Sequence, residues 1–318
     1  MRPSVAIVAG ARPNFMKVAP VLRILAASDY GFDPVLVHTG QHYSPELSDV
    51  FFEQLGIPKP EVHLEAGSGT HGAQTAKVLE AFEAWLLKAA RRPSAVVVVG
   101  DVNSTIAAAL AASKLGIPVI HLEAGLRSFD RAMPEEINRL ATDSISDLLL
   151  VSEPAGEENL LREGVPASRI AYVGNVMIDT LAHHVEAVRG KPTQVAPPSP
   201  FALVTLHRPS NVDDRDSLAN VASFLSDISA QVHVAFPVHP RTRKQLDDFG
   251  LSGKLSNNRI SLLPALGYLE NLSLMCRATM VITDSGGIQE ETSWLGVPCL
   301  TVRENTERPA TISLGTNT

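Results

Sequence analysis

Short β-branched runs alternate along this chain with longer stretches of helical spacing, and few architectures accommodate that order. In the first half the runs are Val5 to Ala9, Pro34 to Val37, Ala95 to Val99, Pro118 to Leu122 and Leu148 to Val151. Helical spacing fills the intervals at Val18 to Ala27, Gln74 to Ala90, Ser104 to Leu115 and Glu135 to Ile145. Strands that are apolar on both faces and separated by helices predict a parallel sheet covered on each side, an α/β fold. Near Arg189 the pattern stops, and the segment Gly190 to Pro200 carries four prolines in eleven positions, which predicts an interdomain linker over 190–200. Alternation resumes with Phe201 to Thr205, Val232 to Phe236, Ile260 to Leu263, Met280 to Thr283 and Cys299 to Val302. Two open α/β units are therefore expected, 1–189 and 201–318.

Composition narrows the chemistry. A chain of 318 residues is about right for two domains of ordinary size. The net charge of -7 argues against a general nucleic-acid binder, which needs a basic stripe to neutralise phosphates. Cys276 and Cys299 match no disulfide or zinc spacing, and a reducing cytoplasm fits them best. Met1 to Gly10 read directly as a strand and turn, so no targeting segment is expected. The longest apolar runs fall far short of the roughly 20 residues that span a bilayer. His183-His184 reads as helix surface, because no third ligand accompanies the pair, and no metal site is expected.

Open α/β sheets bind ligands beyond the carboxyl ends of their strands, so the residues that follow each run are the functional candidates. They are Gly10-Ala11-Arg12-Pro13, His38 to His42 with Gln41, Gly100-Asp101, Glu123 to Arg127, His207-Arg208, His239-Pro240 and Asp284-Ser285-Gly286-Gly287. The last of these opens a helical pattern, Asp284 to Glu291. Glycines let backbone approach an anion, a helix N-terminus favours negative charge, and Glu290 or Glu291 a turn later could reach ribose hydroxyls. This combination points to a nucleoside diphosphate. No G-x-G-x-x-G follows the first strand and no Walker pattern occurs, which argues against a classical nicotinamide dinucleotide.

Taken in order, Gly10 to Pro13, Gly100 to Thr105, His121 to Ser128, Pro134 to Arg139 and Asp284 to Glu291 resemble the UDP-N-acetylglucosamine 2-epimerases of the non-hydrolysing type. Val204 to Pro209, Pro237 to Pro240 and Thr306 to Pro309 extend the resemblance over nearly the whole chain. It implies two Rossmann-like domains with parallel sheets facing a central cleft, GT-B-like, a cytoplasmic homodimer, a UDP-sugar substrate and no cofactor. The implied reaction interconverts UDP-GlcNAc and UDP-ManNAc, a step in polysaccharide precursor supply. UDP leaves with the C2 proton to give 2-acetamidoglucal and adds back with the proton delivered to the opposite face.

On the same resemblance Asp101, Glu123, Glu135 and His207 are the catalytic residues. The three carboxylates handle protons at the sugar ring, with acid and base assignments open, and His207 stands near the leaving diphosphate. Arg12, Lys17, Ser285, Gly286, Gly287, Glu291 and Arg308 are expected to bind UDP, with Glu291 on the ribose. Glu136 adjoins Glu135 on a helix, and adjacent positions point about 100° apart, so one of the two is expected to serve the site. Arg127 and Arg139 suit either ligand contact or salt bridges within the acidic loop. The chain stops at Gly315 to Thr318, where family members continue through further helices, so the second domain is expected to be short at its C-terminus. The alternatives are a hydrolysing 2-epimerase releasing ManNAc and UDP, a GT-B glycosyltransferase, and a UDP-sugar-binding protein with little turnover.

Overall fold

The computed structural model describes residues 2–27, 30–40, 52–190, 195–304, 306 and 308–318, with Arg12 described by its backbone alone. Gln41 and His42 lie outside the described residues, as does most of the first part of the proline-rich segment. The chain divides into two compact units, Met1–Thr180 and Leu181–Thr318.

Among the described residues of the first unit seven strands form one sheet: β1 Ser4–Ala9, β2 Asp33–His38, β3 Val62–His63, β4 Ala95–Val99, β5 Val119–Ala124, β6 Leu148–Val151 and β7 Ile170–Tyr172. Their order is β3-β2-β1-β4-β5-β6-β7, and every pairing is parallel. Helices among the described residues include α1 Arg12–Ala27, α2 His71–Lys88, α3 Asn103–Lys114, α4 Pro134–Ile145, α5 Pro154–Arg162 and α6 Val176–Arg189, the last running across the division between the units. All six residues of β1 are buried, as a strand covered on both faces requires. One core joins Ala6, Val8, Val96 and Val98 to Phe82 and Leu86 of α2 and to the alanines of α3. Those alanines, Ala108, Ala109, Ala111 and Ala112, have no bulk to hold neighbouring elements apart.

The described residues of the second unit carry five strands, β8 Phe201–Thr205, β9 His233–Pro237, β10 Ile260–Leu263, β11 Met280–Thr283 and β12 Cys299–Thr301, in the order β10-β9-β8-β11-β12. Its pairings are parallel as well. Between and after them run α7 Pro209–Val212, α8 Arg215–Ser229, α9 Pro240–Asp248, α10 Tyr268–Met275, α11 Gly286–Leu295 and α12 Pro309–Ser313. Side chains alternate along β8. Ala202 and Val204 join the core that includes Leu218 and Leu225 of α8, while Phe201 and Leu203 join the core that includes Leu274 and Met275 of α10.

Both sheets are doubly wound, and each strand order reverses direction beside its first strand. The reversal lies between β1 and β4 in one unit and between β8 and β11 in the other. The connections leaving such a pair depart to opposite sides, which opens a crevice at the carboxyl ends. Asp101 follows β4, while His207 and Asp284 follow β8 and β11. No helix among the described residues is long and apolar enough to cross a membrane.

Candidate functional site

The first group of candidates is built on the carboxyl ends of β1, β4 and β5. Asn14, in the first turn of α1, accepts the backbone N–H of Ala11 at 3.0 Å and donates to the Val99 carbonyl at 3.0 Å, tying the end of β1 to that of β4. One turn further along, the Lys17 ammonium forms a buried ion pair with Glu123. Lys17 was expected at UDP; the structure places its ammonium on a carboxylate of the same unit. Gly100 turns the chain between these groups with φ +67°, and a Cβ there would lie 3.1 Å from Lys17 Nζ and 3.4 Å from Glu123 Oε2.

Glu123 owes its direction to an irregularity of the backbone. The pairing of β5 with β6 shifts register between Leu122 and Ala124, and Glu123 lies in the left-handed region at φ 72°. A bulge re-aims a side chain, and a non-glycine residue held at positive φ stores strain that functional sites often carry. A buried cluster holds this bend in place. Asp143 of α4 pairs with His121 Nδ1 at 2.6 Å, accepts the Gly125 N–H at 3.1 Å and pairs with Arg127 at 2.7 Å. His121 Nε2 lies 2.8 Å from the Gly100 carbonyl. Arg127 also grips Glu163 through two N–H groups. Burial works against charge on Asp143, yet His121 and Arg127 beside it hold its carboxyl below the usual range.

Asp101 is one-third exposed and receives Arg139 Nε and Nη2 on Oδ2, both at 3.0 Å. Its backbone carbonyl accepts Asn138 Nδ2 at 2.8 Å. Arg139 also pairs with Glu136, whose buried carboxylate accepts the N–H and hydroxyl of Ser128 and the N–H of Phe129. Burial opposes charge on Glu136; the Ser128 N–H and Arg139 outweigh it and lower its pKa. Glu136 is thus the brace of the Ser128–Phe129 loop, while Glu135, one position earlier in the first turn of α4, is half-buried. Arg127 and Arg139 both serve as salt bridges within the acidic region.

The second group lies at the β8/β11 reversal. Asp284 is fully buried and gathers the chain around it. Its carboxylate accepts the N–H groups of His207 and Arg208 at 3.0 and 2.9 Å and Asn211 Nδ2 at 3.0 Å. His207 Nδ1 lies 3.1 Å from Asp284 Oδ1, with the histidine side chain 46% exposed. Burial raises the Asp284 pKa, but His207, the Arg208 N–H and Asn211 more than offset it and the carboxyl is held low. Immediately beyond, Ser285 is the residue before α11, and Gly286 and Gly287 are its first two positions. The opening N–H groups of a helix have no partner within it, so this end offers donors and a favourable dipole to an anion.

Glu290 and Glu291 are both buried in α11. Glu290 receives Arg308 Nε at 3.1 Å, so the expected UDP contact Arg308 rests on a carboxylate in this structure. Burial pushes the Glu291 carboxyl up to about 7, with Tyr268 beside it acting in the opposite direction and Glu290 adding to the rise. Arg12 opens α1, but its side chain is outside the described residues. Of the expected residues, Asp101, Glu123 and Lys17 share one strand edge, Glu135 sits on a helix tied to it, and His207 with Ser285, Gly286 and Gly287 shares the other. Reading the sequence missed the supports Asn14, His121, Asn138 and Asp143. His121 lies inside the string that holds Glu123, and its position two residues earlier on the same strand was the one available signal. The described residues contain no group of His, Cys, Asp and Glu able to hold a metal ion.

Comparisons with known proteins identify the family. The family model for UDP-N-acetylglucosamine 2-epimerase matches residues 25–318. The UDP-N-acetylglucosamine 2-epimerase of Methanocaldococcus jannaschii is 45% identical, covering 98% of this chain and 86% of its own. The crystal structure of the enzyme from that organism in complex with UDP-GlcNAc and UDP superposes with a TM-score of 0.91 at 43% identity, over 99% of this chain and 88% of the other. The UDP-2,3-diacetamido-2,3-dideoxy-D-glucuronate 2-epimerase of Pseudomonas aeruginosa is 42% identical, over 97% of this chain and 85% of its own. Identity at this level along almost the entire chain places it in the UDP-N-acetylglucosamine 2-epimerase family.

Proposed function

We propose that this protein is a non-hydrolysing isomerase that interconverts UDP-GlcNAc and UDP-ManNAc. The observation that carries the reading is that Asp101, just beyond β4, and Glu123, near the end of the neighbouring β5, are each held by a fixed cation. Inverting C2 without oxidation requires its proton to leave from one face and return on the other. Proton handling of this kind needs positioned acid and base groups on the sugar. Asp101, Glu123 and Glu135 supply them from the first unit.

Breaking the anomeric C1–O bond places negative charge on the departing diphosphate. Ser285, Gly286 and Gly287 at the start of α11 supply backbone donors to that charge, and His207 supplies a ring N–H. The C1–O electron pair leaves with UDP, a carboxylate takes the C2 proton and the C2–H pair becomes the C1–C2 double bond of 2-acetamidoglucal. In the return step UDP re-adds at C1 on the face it left while a carboxyl delivers a proton to the opposite face of C2. Arg12, Lys17 and Arg308 balance the charge of the nucleotide or of the carboxylates beside them, and Glu291 hydrogen-bonds the ribose. Work on a soluble nucleotide sugar suits a cytoplasmic homodimer of domains 1–189 and 201–318 joined through 190–200.

Proton NMR of the purified chain with UDP-GlcNAc tests the outcome. The reading expects anomeric signals of UDP-ManNAc to grow to a constant ratio. Free ManNAc with stoichiometric UDP marks a hydrolysing enzyme, and an unchanged spectrum marks a binding protein. The Pseudomonas aeruginosa relative motivates a parallel sample with the diacetamido-glucuronate nucleotide, which this reading expects to turn over more slowly.

A further inference from the structure

We propose that Asp284 is a positioning residue that fixes the ring orientation and tautomer of His207, presenting Nε2 outward beside the anion-binding start of α11. The inference rests on the epimerase reading for the reaction it serves, but its geometry stands alone. Asp284 Oδ1 lies 3.1 Å from His207 Nδ1, and the carboxylate is completely buried while the imidazole is nearly half exposed. A buried carboxylate can only accept, so Nδ1–H donates to it, and the opposite ring edge carries Nε2. Two backbone N–H groups and the Asn211 amide bind the same carboxylate, which leaves it little freedom to turn away. Arg208 Nε donates to the Asp284 carbonyl at 2.9 Å, locking the turn from the other side. The His239 ring packs beside His207 at 5.9 Å between centroids and restricts rotation of the imidazole.

Asp284 is the residue immediately before Ser285, so one side chain aligns the histidine and one peptide unit later the phosphate-binding turn begins. Orientation of a reacting imidazole by a buried carboxylate is a recurring device, because it removes the wrong tautomer and holds the ring in line.

Two measurements on the full chain test this. In the wild type labelled with 15N-histidine, with the His207→Gln spectrum identifying the His207 signals, the dyad requires a proton on Nδ1; an unprotonated Nδ1 overturns it. In kinetics, Asp284→Asn should lower kcat about 100-fold with KM changed less than about three-fold. In the His207→Gln background the same substitution should lower kcat by less than about three-fold, because its effect passes through a ring that is gone. Equal losses in both backgrounds overturn the proposal and leave Asp284 a structural anchor. If Asp284→Asn does not fold, the wild-type spectrum decides. A wild type that converts no UDP-sugar sinks the epimerase reading, while the state of Nδ1 still decides the dyad.

Discussion

At the scale of single residues, the two buried carboxylates Glu123 and Glu291 illustrate opposite solutions to the same problem. Glu123 is matched by the Lys17 ammonium, so removing that cation in Lys17→Met leaves charge in a dry site. Breaking one side of a buried pair typically costs about 3 to 5 kcal/mol, and denaturant unfolding of Lys17→Met should show a loss of that order. Glu291 instead is pushed up to about 7 from an ordinary 4.5 by burial. A raised folded value means the protonated form is favoured: its contribution to stability is fully present below about 4.5 and is lost as pH rises through about 7. At 1.36 kcal/mol per unit the difference is roughly 3 kcal/mol. Glu291→Gln, which cannot ionise, should therefore match the wild type in urea unfolding at pH 4.5 and exceed it at pH 8. Equal stabilities at both pH values would show that Glu291 is not so buried. Neither behaviour was legible in the sequence, because the distance from a carboxylate to a cation more than a hundred positions away is a product of packing.

At the scale of elements, strands with a continuous apolar run announced themselves, and the two short strands at the margins of the first sheet did not. Ala95–Val99, Leu148–Val151, Phe201–Thr205, Ile260–Leu263 and Met280–Thr283 have the limits that their apolar runs predict. Val62–His63 and Ile170–Tyr172 are two and three residues long and lie at the sheet margins, so neither length nor composition marked them. The bulge at Glu123 is similarly silent, although Gly125 was a clue. Gly125 has φ +81°, and a Cβ there would lie 2.4 Å from the Gly156 carbonyl oxygen at the start of α5. Backbone cannot yield as a side-chain tip can. Gly125→Ala is expected to destabilise by about 3 kcal/mol or more and to lower turnover by displacing Glu123, measured by thermal unfolding alongside initial rates. A variant with wild-type melting and rate would show that this approach is not tight.

For the molecule as a whole, both units repeat one scheme, a doubly wound parallel sheet with candidate residues gathered at the carboxyl ends of its strands. The order of motifs was enough to reveal the scheme and the family, since ligand residues follow strands in any such sheet. What the order of motifs left open was which charged groups brace and which act, and the structure separates Glu136, Arg127 and Asp143 as braces. Three of the buried carboxylates, Glu136, Asp143 and Asp284, are held below their ordinary pKa. The unfolded chain then binds more protons, so their contribution is present above about pH 4 and is lost as pH falls through the lower folded values. Acid unfolding of the wild type should steepen below pH 4, and Asp143→Asn should be less stable at pH 7 with a shallower dependence in that range. The central claim is that UDP departs and returns through an intermediate that has lost its C2 proton. Incubating UDP-GlcNAc with the wild type in deuterated water and reading the C2 position by NMR tests it most directly. The account predicts deuterium at C2 of UDP-ManNAc from the earliest conversion and of the recovered UDP-GlcNAc as equilibrium is approached. UDP-ManNAc formed with its C2 hydrogen retained from the substrate would contradict it.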